Sequence, residues 1–210
     1  MKSLFNAKPS KDKGDKTVIV VSGLPRSGTS MMMKMLEQGG VPALTDSIRR
    51  ADDDNPNGYY ELELVKKLTE GQTKWLTDAD RKVVKIISAL LEHLPVSHRY
   101  KIIFMERQPE EILASQRKML AHRHEKSEVS DAEMQKQFKE HLAAVKYWLA
   151  RQPNMEVLYV DYNRMMADPD AYCQPIADFI AVPVDVAKMR SVPNADLYRN
   201  RTEKSASKLP

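Results

Sequence analysis

The stretch Val18-Ile19-Val20-Val21-Ser22-Gly23-Leu24-Pro25-Arg26-Ser27-Gly28-Thr29-Ser30 decides the fold. Its first four residues are a continuous apolar, mostly β-branched run, which suits a strand buried on both faces of a parallel sheet. A tight Gly/Pro/Ser turn follows, and after it Met31–Gln38 opens with a helix-like pattern. Gly23 and Gly28 allow the backbone to turn sharply and bring its N–H groups toward a ligand, while the helix N-terminus adds positive potential at the same point. Strand, loop and helix in this order predict an anion site.

Working outward, the 210 residues suit one α/β domain with an ample core. The 33 basic residues are scattered among 29 acidic ones, giving a net charge of +4, which points to a small anionic ligand and away from a general nucleic-acid binder. One cysteine, Cys173, allows no intrachain disulfide, so the expected setting is a reducing, cytoplasmic one. No segment is long and apolar enough to predict a membrane span, and residues 1–15 read as a mobile basic tail.

Met31, Met32, Met35 and Leu36 form an apolar helical face closed by Gly39-Gly40, and Val41–Leu44 suggests a short strand. Residues 45–58 are rich in Asp, Asn and Pro and read as a loop; Asn55-Pro56-Asn57-Gly58 is a strong turn, leading into an expected helix over 61–68. Glu61 stands at its start, where the dipole alone favours a carboxylate by about 0.3–1 kcal/mol. Asp52-Asp53-Asp54 does not have the spacing of a calcium loop. Residues 78–94 fit both a helical face and, at Val83–Ile87, a β-branched strand. Tyr100–Glu106 is the clearest strand after the first, and it runs through Arg107 into a helix opened by Pro109 with Glu110 and Glu111 in its first turn. A helix over 131–151, a strand over 155–160 and a last helix opened by Asp168-Pro169 complete the pattern. His122 and His124 lack metal-site spacing, and His141 receives no role.

The glycines of the loop have P-loop spacing, but Thr29-Ser30 stands where a nucleotide triphosphatase needs Lys followed by Ser or Thr. The cation has moved into the loop, to Arg26. PRSGTS resembles the 5′-phosphosulfate loop of the sulfotransferases, which take their sulfuryl group from 3′-phosphoadenosine 5′-phosphosulfate (PAPS). IIFMERQPEEILASQRKML resembles that family's second nucleotide-binding element, and VLYVDYNRMMADPDAYCQPIADFI its closing strand and helix.

The resemblance implies a three-layer α/β fold of P-loop type with a central parallel sheet of about five strands, spanning residues 16–201 as one domain with 202–210 as a tail. It favours the strand reading at 83–87. It places the 5′-phosphosulfate at Arg26, Ser27, Gly28, Thr29 and Ser30, and the 3′-phosphate at Arg107 and Ser115. Arg199 and Arg201 fall where related enzymes bring a C-terminal segment over the nucleotide. The implied reaction is in-line, metal-independent sulfuryl transfer to a hydroxyl or amine of a small molecule, glycan or peptide, with Arg26 and Lys85 compensating charge on the departing oxygen. In the cytosolic members the strand matching Val83–Ile87 carries a Lys and, two residues on, a catalytic His; Lys85 matches and Ile87 does not. Tyrosyl-protein and heparan sulfotransferases use a glutamate as base, and Glu61 is the candidate here. The rival readings are a small-molecule kinase with an aberrant P-loop and a non-catalytic nucleotide-binding module.

Overall fold

A computed structural model describes residues 16–46, 52, 55, 58–122, 124, 125, 127 and 129–193. Within them the apolar run becomes β1 (Thr17–Gly23), with Val18 to Val21 at most 1% exposed, and the loop after it leads into α1 (Thr29–Gln38). Next come α2 (Glu63–Lys66), 3-10 turns at Lys67–Glu70 and Lys74–Asp78, β2 (Val83–Lys85) and a 3-10 turn at Ser88–His93. The chain continues through β3 (Arg99–Glu106), α3 (Pro109–His122), α4 (Asp131–Leu149), β4 (Met155–Asp161), α5 (Tyr162–Ala167), α6 (Asp170–Ile180) and α7 (Val186–Arg190).

The four strands pair in parallel in the order β2-β1-β3-β4, with Val21 opposite both Lys85 and Ile103. Parallel strands expose both faces to packing, and each needs an apolar cover. Ile19, Val21, Ile103 and Met105 pack under the methionines of α1 and under α6 and α7. Val18, Val20, Ile102 and Phe104 pack under the Trp75–Leu76 turn, Leu91 and Leu149 of α4. Three layers result, with β1 in the middle and its neighbours β2 and β3 on opposite sides, so a crevice opens at its C-terminal end.

Where five strands were anticipated, Val41–Leu44 contributes only an isolated bridge, Ala43 to Val83. Leu44 N–H donates to Val83 O and Val83 N–H to Pro42 O, but Pro42 has no N–H with which to extend the ladder. β2 stops at Lys85: Ile86 N–H still donates to Val21 O (3.0 Å), after which Ile87 enters the 3-10 turn. The expected helix over 61–68 shortens to α2 because Tyr60 sits at φ 51° and Leu62 is extended. Asp46 Oδ2 then accepts from Glu63 N–H (2.6 Å) at the helix start. Cys173 is fully buried, and burial pushes its thiol pKa up, as for a packing residue. Among the described residues no helix is long and apolar enough to cross a membrane.

Candidate active site

The loop is held from three sides. Gly23 (φ 142°) lies so close to Met105 O and Ser27 Oγ that an added Cβ would come within 2.6 Å of each. Gly28 (φ 98°) forms the N-cap of α1 with no side chain capping that end, and its missing Cβ would be 2.3 Å from the Tyr162 ring. Arg26 is also in the left-handed region (φ 72°), an uncommon conformation for a side-chain-bearing residue that the surrounding contacts must maintain. Ser27 is 1% exposed, and its hydroxyl has no hydrogen-bond partner among the described residues. An uncapped helix N-terminus beside an unsatisfied buried hydroxyl is a fitting receptor for a phosphate or sulfate oxygen.

Arg26, Arg107 and Ser115, distant in sequence, come together. Arg26 Nε donates to Ser115 Oγ (3.0 Å), and Arg107 Nη1 donates to Arg26 O (3.1 Å). Arg107 stands just past β3 and Ser115 two turns into α3, as the second element of the sequence implies. Arg107 Nε pairs with Glu111 Oε2 at 3.0 Å; the two side chains are only 7% and 0% exposed. Glu111 Oε1 accepts from Asn163 Nδ2 (2.9 Å), and the Arg107 guanidinium lies 4.5 Å from the centre of the Tyr162 ring. A buried arginine thus has a buried counter-ion and an aromatic face, the conditions under which its fixed charge is tolerable. Sequence reasoning missed Glu111, Tyr162 and Asn163. Glu111 had a legible signal, since it follows Arg107 at helical i+4 spacing; the other two are brought in by the end of β4.

On the other side of the loop, Ser30 Oγ accepts from Asn55 Nδ2 (2.9 Å), and that amide also donates to Gly58 O (2.7 Å). Lys85 Nζ donates to Tyr59 O, which ties the end of β2 to the segment ahead of α2. Tyr59 in turn donates its hydroxyl to the Asp52 carboxylate (2.7 and 2.8 Å). Tyr60 donates its hydroxyl to Glu37, and burial together with that acceptor holds its phenol well above the usual range. Glu61 is half-buried, and its carbonyl accepts from Thr45 Oγ1 (2.8 Å) and Asp46 N–H (3.2 Å). Lys85 therefore meets the segment that carries Glu61, two residues before it, on the β2 side of the crevice. Thr29 is the first residue of α1. Asp53, Asp54, Arg199, Arg201, the tail over 1–15 and that over 202–210 lie outside the described residues.

Residues 16–206 match the family described as the sulfotransferase domain, and the chain belongs to that family. Solved structures share the fold. The sulfotransferase domain of the Synechococcus PCC 7002 olefin synthase aligns over 96% of this chain and 90% of its own, at 14% identity and a TM-score of 0.51. Mouse sulfotransferase SULT7A1, solved in complex with PAP, aligns over 84% of this chain and 62% of its own, at 18% identity and a TM-score of 0.53. The sulfotransferase domain of the curacin biosynthetic pathway aligns over 91% and 82%, at 15% identity and a TM-score of 0.50. No curated protein matches the sequence.

Proposed function

We propose that residues 16–201 form one catalytic domain that moves the sulfuryl group of PAPS, in line, to a hydroxyl or amine acceptor. The observation that carries this reading is the Arg26–Ser115–Arg107 constellation, which joins the phosphate loop to the strand-end element within hydrogen-bonding distance. The α1 N-terminus with Ser27, Gly28, Thr29 and Ser30 would hold the 5′-phosphosulfate, and Arg107 with Ser115 the 3′-phosphate. Arg26 and Lys85 would meet the charge that grows on the bridging oxygen, where fixed donors lower the barrier most. Because the loop has Arg26 inside it and Thr29-Ser30 where a Lys-Ser pair would hold nucleotide and metal, the reading invokes no metal. Glu61 is the loop carboxylate that this reading offers for the acceptor's proton. The one buried cysteine fits a cytoplasmic setting.

Calorimetric titration with adenosine 3′,5′-bisphosphate, adenosine 5′-monophosphate and ATP plus magnesium tests the donor site, and PAPS turnover against pooled phenols, sugars, amines and peptides tests the chemistry. The expected result is tight binding of the bisphosphate and turnover with at least one pool. Preference for ATP would favour the kinase, and binding without turnover a silent module. Arg107→Ala and Ser115→Ala should each weaken the bisphosphate by about 1.5–3 kcal/mol, the value of a charge-assisted hydrogen bond, and leave the monophosphate almost unchanged. Equal losses for the two ligands would remove the 3′-phosphate assignment.

A further inference from the structure

α4 carries one histidine toward the end of the sheet where the loop lies. His141 Nε2 is 2.8 Å from Ser88 Oγ, a contact between residues 53 apart in the chain. Ser88 is 3% exposed and opens the 3-10 turn beyond β2, three residues after Lys85. Two further contacts fix α4 at this end of the molecule: Gln135 donates to Glu110 in the first turn of α3, and Lys146 pairs with Glu106 at the end of β3. His141 lies between those anchors along α4 and reaches the end of β2. Its ring therefore stands at the turn just beyond the C-terminal end of β2, three residues past Lys85.

We propose that His141, in place of the loop carboxylate Glu61, is the base of the sulfuryl transfer, taking the acceptor's proton on Nδ1 while Ser88 holds the ring through Nε2; this rests on the reading of the chain as a PAPS-using sulfotransferase. A ring that donates its Nε2–H to a hydroxyl oxygen keeps its lone pair on Nδ1, the tautomer a base needs. Ile87, next to Ser88 and 39% exposed, offers an apolar surface for the body of an acceptor. In the step itself the acceptor's O–H or N–H proton passes to Nδ1 as the acceptor atom bonds sulfur. The bond from sulfur to the bridging oxygen breaks with its electron pair on the 5′-phosphate, releasing adenosine 3′,5′-bisphosphate, and the imidazolium returns its proton to water. Ser88 acts through the ring, as a positioning residue.

The test compares the full chain with His141→Gln, His141→Ala, Ser88→Ala and Glu61→Gln, using PAPS with the pooled acceptors and following formation of the bisphosphate. The expected result is that both His141 variants lose about 10²–10⁴-fold in kcat, the range of a lost general base, while binding the bisphosphate as the unmodified chain does. Millimolar imidazole should restore turnover to His141→Ala. Nitrogen NMR should find the His141 ring protonated on Nε2, a state weakened by Ser88→Ala together with kcat. Normal turnover in both His141 variants, or a loss that imidazole does not relieve and that comes with a lower melting temperature, overturns the proposal. So does a ring found protonated on Nδ1. If Glu61→Gln alone abolishes turnover, the base is the loop carboxylate. Absence of PAPS turnover by the unmodified chain with every pool brings down the sulfuryl-transfer reading and this proposal with it, whereas turnover with indifferent His141 variants removes only the proposal.

Discussion

Gly28 and the Tyr162 ring leave no room for a side chain between them, and the glycine's φ of 98° disfavours one in any case. Gly28→Ala should cost about 1–3 kcal/mol from the backbone alone, with more from displacement of the ring. Urea denaturation reads the first effect. Because Tyr162 also faces Arg107, affinity for adenosine 3′,5′-bisphosphate should fall in parallel, which calorimetry reads. At Glu111 the issue is charge. Both of its oxygens are used, one by Arg107 and one by Asn163, and the side chain is fully buried. Glu111→Gln leaves the Arg107 cation in the interior without its counter-ion, a change that costs about 3–5 kcal/mol in buried pairs. A variant as stable as the parent in urea would show that Arg107 finds compensation elsewhere.

Among the elements, α4 is closed at its start by a local device: Ser130 Oγ accepts from Glu133 N–H at 3.3 Å, within a Ser-Asp-Ala-Glu sequence of capping-box form. Ser130→Ala should lower stability by about 0.5–2 kcal/mol. If His141 depends on where α4 is held, turnover should fall further than the melting temperature alone accounts for. Elements differ in how legible they are. β1 and β3 can be read directly because continuous apolar runs bounded by Gly23 and by Arg107-Gln108-Pro109 have one interpretation. β2 cannot, since three paired residues carry no periodicity and the run Val83–Ile87 is shared with a turn. Arg26 and Arg107 are visible because each sits at a strand-to-helix junction with a local signature, and Ser115 because it follows Arg107 into α3 within the same signature. The Ser88–His141 contact has none: a histidine on the inner face of a helix acquires its partner only when the helix is laid across the sheet.

For the molecule as a whole, the two apolar layers are not equivalent. The layer under α1 is rich in methionines, and Met32, Met33 and Met35 are fully buried there. Met32→Ala should destabilise the fold by about 2–5 kcal/mol, as large-to-small changes in packed cores do, with the denaturation midpoint as the measure. Methionine adapts its shape readily, so Met32→Leu should cost under about 1.5 kcal/mol. The contacts that shape the phosphate loop come from far along the chain: Met105 against Gly23, Ser115 on Arg26, and Tyr162 against Gly28. During synthesis the segment that carries the loop leaves the ribosome before the residues that shape it: Ser115 follows Arg26 by 89 positions, and Tyr162, the wall against Gly28, comes from the far side of β4. A nascent chain halted before Asp161 therefore has the loop's sequence without its shape, and the capacity to hold an anion there arises late in translation, when β4 takes its place beside β3.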